Sequence, residues 1–170
     1  LPNRFPDQGE APEYNTIDAA LWLFVSLYEY YQKFKDIAFI QQYYDTLTDM
    51  LEQHIAGTRY NIRLTPEGFL SGGEGLAQLT WMDARVGDYV VTPRHGCPVE
   101  IQALWFNALC IYQYFGQLLD QDVEKYQRLA EQLFRLLHLI QFEQHPGEVD
   151  QRRPSTRIAG QDGPVTALGL

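Results

Sequence analysis

Three observations predict an all-α fold for this chain. Four segments carry apolar residues at three-and-four spacing, the period of a helix with one buried face. These segments fall as two consecutive pairs, so the expected architecture is two helical hairpins. Between the pairs lie a short alternating stretch around Pro66-Glu67-Gly68 and a long polar loop, an inserted β-hairpin and a candidate site loop.

The elements follow in order. Residues Leu1 to Glu13 are loop punctuated by proline and glycine. Asn15 or Thr16 then caps a first helix. Ile17, Ala20, Leu21, Trp22, Leu23, Phe24, Val25, Leu27 and Tyr28 cover most of its circumference, so it is buried on most sides and runs to about Lys35. A break at Lys35-Asp36 leads to a second helix over about Ile37 to Ala56. Its stripe of Ile40, Tyr43, Tyr44, Leu47, Met50, Leu51 and Ile55 is one-sided, and Gly57 stops it. Arg59 to Leu64 and Phe69 to Ser71 form the expected hairpin, ended by Gly72, Gly73 and Gly75. No strand-to-helix context makes these glycines a phosphate loop. A third helix starts near Pro98, with the stripe Ile101, Leu104, Trp105, Ala108, Leu109 and Tyr112 and an end region at Gly116. A fourth covers about Asp122 to Phe142, capped by Asp120 or Asp122. Beyond Glu143 the period is lost. Residues 1–142 therefore form one helical unit, and residues 143–170 an irregular tail expected to be disordered.

Composition bounds the partners. With 45% hydrophobic and 21% charged residues the chain is globular. The net charge of -9 opposes nucleic acid and anionic membrane surfaces, both of which need a cationic footprint. No apolar run has the length of a membrane span. Cys97 and Cys110 show neither metal spacing nor a disulfide framework, which points to a reducing, cytoplasmic setting. His54, His95, His138 and His145 are too scattered for a metal site, and no cofactor is expected. The aromatic share is 14%, with 11 tyrosines, and such rings stack on flat apolar faces including those of sugars. The chain opens on Leu1-Pro2-Asn3-Arg4-Phe5-Pro6, so a piece of a longer protein is expected.

Thr80 to Glu100 is the richest loop in Trp, Asp, Arg and Glu. Asp83 is its chemical candidate. Trp81 and Met82 beside it are expected to desolvate the carboxyl and favour its protonated form. On residues alone, a cap or bridge inside the loop is the reading to prefer for Asp83, since loop carboxylates are usually structural. Asp18 reads as a favourable charge at a helix start, and Glu100 likewise. Arg59, Arg85 and Arg94 have forked donors for hydroxyls, or for pairing with Asp18, Asp83, Asp88 and Glu100. Trp22 and Trp81 are candidate stacking platforms, whereas Trp105 sits on a helical stripe and belongs to the core.

Four motifs occur together and in order. They are Tyr14-Asn15-Thr16-Ile17-Asp18-Ala19-Ala20-Leu21-Trp22, then Gly57-Thr58-Arg59-Tyr60, then Gln78-Leu79-Thr80-Trp81-Met82-Asp83-Ala84, and finally Thr92-Pro93-Arg94 through Pro98-Val99-Glu100-Ile101. The set resembles the amylo-α-1,6-glucosidase domain of glycogen debranching enzymes, over about Leu1 to Phe142. The resemblance implies part of an (α/α)6 toroid acting on branched α-glucan, glycogen or limit dextrin, by inverting hydrolysis of the α-1,6 branch. It implies Asp83 as general acid, and Asp18, Trp22, Arg59, Trp81, Arg85, Arg94 and Glu100 as substrate-binding residues. The family's general base belongs to a later motif that this sequence lacks, so the chain by itself is expected to be inactive. A third of a ring leaves apolar faces uncovered, so self-association is expected. The rival reading is a non-catalytic helical module that binds glucan or protein.

Overall fold

The structure is a computed structural model that describes residues 1–144, with the side chains of residues 1–139. Its four helices are α1 (Ala19–Phe34), α2 (Ile37–Ala56), α3 (Val99–Leu118) and α4 (Glu124–Gln144). Between α2 and α3 lie two hairpins. One pairs β1 (Arg63–Leu64) with β2 (Leu70–Ser71), and the other pairs β3 (Arg85–Val86) with β4 (Tyr89–Val90), both antiparallel. The mostly helical class is as expected. Residues 145–170, which hold most of the expected tail, lie outside the described residues.

Helix α3 is central and packs against each of the other three helices. Ile101, Trp105, Ala108, Leu109 and Phe115 are fully enclosed on it. They meet Leu21 and Phe24 of α1, Ile40, Leu47 and Leu51 of α2, and Leu133 of α4 in one continuous core. Trp105 is core, as its place on the stripe implied. At the lower end of the core three tyrosines pack ring on ring. Tyr44 stacks on Tyr112 at 4.7 Å between centroids, and Tyr112 meets Tyr126 edge-on at 4.5 Å. Gly116 makes this closeness possible, since a Cβ there would lie 2.5 Å from the Tyr44 hydroxyl and 2.2 Å from Val123.

The start of α1 differs from expectation. Neither Asn15 nor Thr16 caps it. The N-cap is Asp18, whose side chain makes no cap hydrogen bond. The buried Asn15 Oδ1 and Thr16 Oγ1 have no partner among the described residues. Helix α2 begins after Asp36, whose Oδ1 accepts the Phe39 N–H at 3.0 Å. Asp36 is thus a side-chain cap within what reads in sequence as a simple break. At α4, Asp122 Oδ1 accepts the Glu124 N–H at 3.0 Å.

The first hairpin is shorter than the sequence pattern suggested. Arg59–Asn61 forms a 3-10 turn rather than strand, with Tyr60 and Asn61 at φ 59° and 55°. The Gly68 N–H returns to the Thr65 carbonyl at 2.9 Å to close the Pro66-Glu67-Gly68 turn. The second hairpin lies inside the segment read as pure loop. Gly87, at φ 59°, turns it in the left-handed conformation that glycine adopts at no steric cost. Beyond both hairpins, Gly72 and Gly96 exchange two backbone hydrogen bonds of 2.9 and 2.8 Å.

Candidate active site

The site is built where the loop carrying Asp83 meets the start of α1. Two bonds join them. The Ile17 N–H donates to the Leu79 carbonyl at 2.8 Å. The Trp81 N–H donates to Asp18 Oδ2 at 2.8 Å. Ile17 and Leu79 are both buried, so this seam is anchored in the core.

Asp83 closes the turn that follows. Its Oδ2 accepts the Leu79 N–H at 2.9 Å, and its Oδ1 accepts the Thr80 hydroxyl at 3.1 Å. Its own N–H reaches the Thr80 carbonyl at 3.2 Å. The carboxyl is half-buried, and each of its oxygens has one donor from within the turn. Farther along, Thr92 Oγ1 donates to the Met82 carbonyl at 2.8 Å and accepts the Ala84 N–H at 2.9 Å. That bond pair fastens the base of the β3–β4 hairpin.

The apolar shelter foreseen for Asp83 is not built as expected. Trp81 is 66% exposed and Met82 37%. The desolvated carboxyl is instead Asp18, at 5% exposure. Burial pushes its pKa up, hydrogen bonds from the N–H groups of Trp81, Asp18 and Ala19 pull the other way, and the nearby Asp83 carboxyl adds to the rise.

The remaining candidates divide. Trp22, on α1, is 37% exposed. Arg59 lies over the Tyr14 ring at 5.6 Å, a cation–π contact. Arg85 is exposed on β3. Arg94 and Glu100 pair with each other, Arg94 Nε to Glu100 Oε1 at 2.8 Å, so this arginine takes the pairing alternative. Their pair spans the entry to α3. A shallow depression on α4, lined by Arg128, Glu131, Gln132, Arg135 and Leu136, shares no residue with the Asp83 loop.

Two contributors escaped the sequence reading. Gln102 is 3% exposed and links α3 to β2 through its side-chain amide. His54, also buried, stands on the Trp105 ring at 6.1 Å between centroids. Its Nδ1 lies 2.6 Å from the Met50 carbonyl, and because a carbonyl only accepts, Nδ1 carries the proton. Among the described residues no group of three or more His, Cys, Asp or Glu is arranged to hold a metal ion. Nor is any described helix long and apolar enough to cross a membrane.

The family model described as amylo-alpha-1,6-glucosidase matches residues 1–151. The chain belongs to that family. The match runs past Phe142, where the sequence pattern fades. No curated protein and no solved structure matches.

Proposed function

We propose that this chain supplies the general-acid side of a glucosidase that hydrolyses α-1,6 branch linkages in glycogen or limit dextrin with inversion. The Asp83 carboxyl gives its proton to the glycosidic oxygen as the bond from that oxygen to C1 breaks. Water attacks C1 from the opposite face and loses its proton to a second carboxylate. In inverting enzymes the two carboxyl groups stand roughly 6.5–9.5 Å apart, leaving room for that water. The second carboxylate lies outside this sequence, and the four helices form part of an (α/α)6 ring. Trp22 and Trp81 offer exposed ring faces to the sugar. Arg59 and Arg85 offer donors to its hydroxyls, and the Arg94–Glu100 pair shapes the wall at the entry to α3.

The observation that carries the reading is the fixing of Asp83 by Leu79 and Thr80 on a turn that is itself tied to α1. General acids work from a held geometry, and this one is held. The test is glucose release from a branched limit dextrin. The chain alone should release none, for lack of a base. A longer polypeptide containing it should turn over, and Asp83→Asn should abolish that turnover while leaving glucan binding. Turnover retained in Asp83→Asn would remove Asp83 from the reaction. It would favour the rival reading, a glucan-binding or protein-interaction module, in which the same two hydrogen bonds serve only to close a turn.

A further inference from the structure

We propose that Asp18 is a positioning residue, holding the backbone of Trp81 and through it the stance of Asp83. The inference rests on the reading of Asp83 as proton donor. In the turn from Leu79 to Asp83 only Leu79 and Thr80 are buried, and Trp81 and Met82 face outward. The bonds made by Asp83 and Thr80 are internal to the turn and fix its shape, not its place. Its place is set by two bonds to the start of α1, the backbone bond from Ile17 and the side-chain bond from Asp18, and on the far side by the Thr92 hydroxyl at the Met82 carbonyl.

Asp18 occupies the N-cap position of α1, where an aspartate ordinarily accepts an N–H of its own first turn. Here the side chain makes no cap bond of that geometry, although its own N–H and that of Ala19 also act on the carboxyl. Its Oδ2 reaches instead to an N–H that lies 63 positions away in sequence. An ionised acceptor makes a shorter and stronger bond to an amide than a neutral one. The carboxylate is also 5% exposed and rooted in a helix, so the anchor itself moves little. Two acidic side chains thus hold one turn from opposite ends, Asp18 at Trp81 and Asp83 at Leu79.

Backbone amide exchange reads this directly. In Asp18→Ala, exchange at Trp81 should quicken about tenfold or more, as expected for loss of one such bond, while Phe24 and Leu27 in α1 keep their rates. Asp18→Asn retains an oxygen acceptor and should stay within about threefold of the original chain. Unchanged exchange at Trp81 in Asp18→Ala would overturn the proposal. If that variant does not fold, the unsubstituted chain decides: acid titration of Asp18 should displace the Trp81 amide resonance, and a resonance that stays still would overturn the proposal. In a polypeptide with turnover, Asp18→Ala should lower kcat with KM little changed, and Asp18→Asn should restore kcat. A raised KM with unchanged kcat would make Asp18 a sugar contact instead. The exchange data depend on Asp18 alone, so they stand or fall apart from the Asp83→Asn result.

Discussion

The side chain of Gln102 pairs with the backbone of Leu70 as a neighbouring strand would. Its Oε1 accepts the Leu70 N–H at 2.8 Å, and its Nε2 donates to the Leu70 carbonyl at 2.7 Å. The same Nε2 reaches the Pro98 carbonyl at 3.2 Å. One buried amide thereby joins the edge of the first hairpin to the first turn of α3.

Removing it should be costly. Gln102→Leu leaves the Leu70 N–H and carbonyl without partners in a dry interior, at about 1–3 kcal/mol for each group that finds no water. A loss of roughly 2–4 kcal/mol is expected on that basis, measurable by urea unfolding. A variant as stable as the original would mean that water replaces the amide.

Gly116 gives a second prediction. Any side chain there meets Val123 and the Tyr44 hydroxyl inside contact distance. Gly116→Ala must push α4 or the tyrosine stack aside. The expected cost is about 3 kcal/mol, the upper part of the usual range for overpacking. Loss of the near-ultraviolet circular dichroism of the packed tyrosines should accompany it.

Histidine 54 predicts a pH dependence. Burial holds its pKa below the 6.5 of a free imidazole. In the unfolded chain it protonates near 6.5, while in the folded chain it resists. Its contribution to stability is therefore complete above that pH and is lost as pH falls through the folded value. Unfolding midpoints should drop on acidification below about 6.5, and His54→Phe should flatten that part of the profile. An equal slope in both would point to other groups.

Asp18 predicts the opposite sign. Its pKa is raised above 3.8, so the folded chain accepts a proton more readily than the unfolded chain. Stability from this group is complete below 3.8 and declines as pH rises through the folded value. Asp18→Asn removes the buried charge and should raise the urea midpoint at neutral pH. The gain should shrink toward zero at about pH 3, where both side chains are uncharged.

The last prediction concerns association. Trp22, Val99, Phe134 and Leu139 are large apolar side chains exposed at 37%, 75%, 47% and 61%. Surfaces of this kind seek cover. Sedimentation of the chain should show oligomers whose share grows with concentration. A single monomeric species across a hundredfold range of concentration would refute this.

What could be read from the residues was local. Helix α2 was legible because its stripe is one-sided and Gly57 follows it at once. Helix α3 was legible through Pro98 and the stripe to Tyr112. The β3–β4 hairpin was missed, although Gly87-Asp88 between Val86 and Tyr89 is a known two-residue turn signal. Its strands are only two residues long, too short for alternation to register. The cap of α1 was misplaced because Asn15, Thr16 and Asp18 all suit a helix start, and their choice depends on what the distant loop needs. Asp18 meeting Trp81, and Gln102 meeting Leu70, are pairings between residues 63 and 32 positions apart. No periodicity encodes such meetings. The loop was legible as a candidate site, but the outward turn of Trp81 and Met82 was not, since local sequence does not say which way a hydrogen-bonded turn faces.

The doubled bond between Gly72 and Gly96 has a bearing on how this surface can change. It clasps the chain at two points 24 residues apart (96 − 72), and whatever lies between is a purse whose drawstring is already tied. The tip at Gly87-Asp88 can lengthen or be rewritten at small entropic cost, because the ends need not find each other again. The helices on either side would not register the alteration. Variation among such chains can therefore accumulate at that tip, while Asp83 a few residues away keeps its bonds to Leu79 and Thr80.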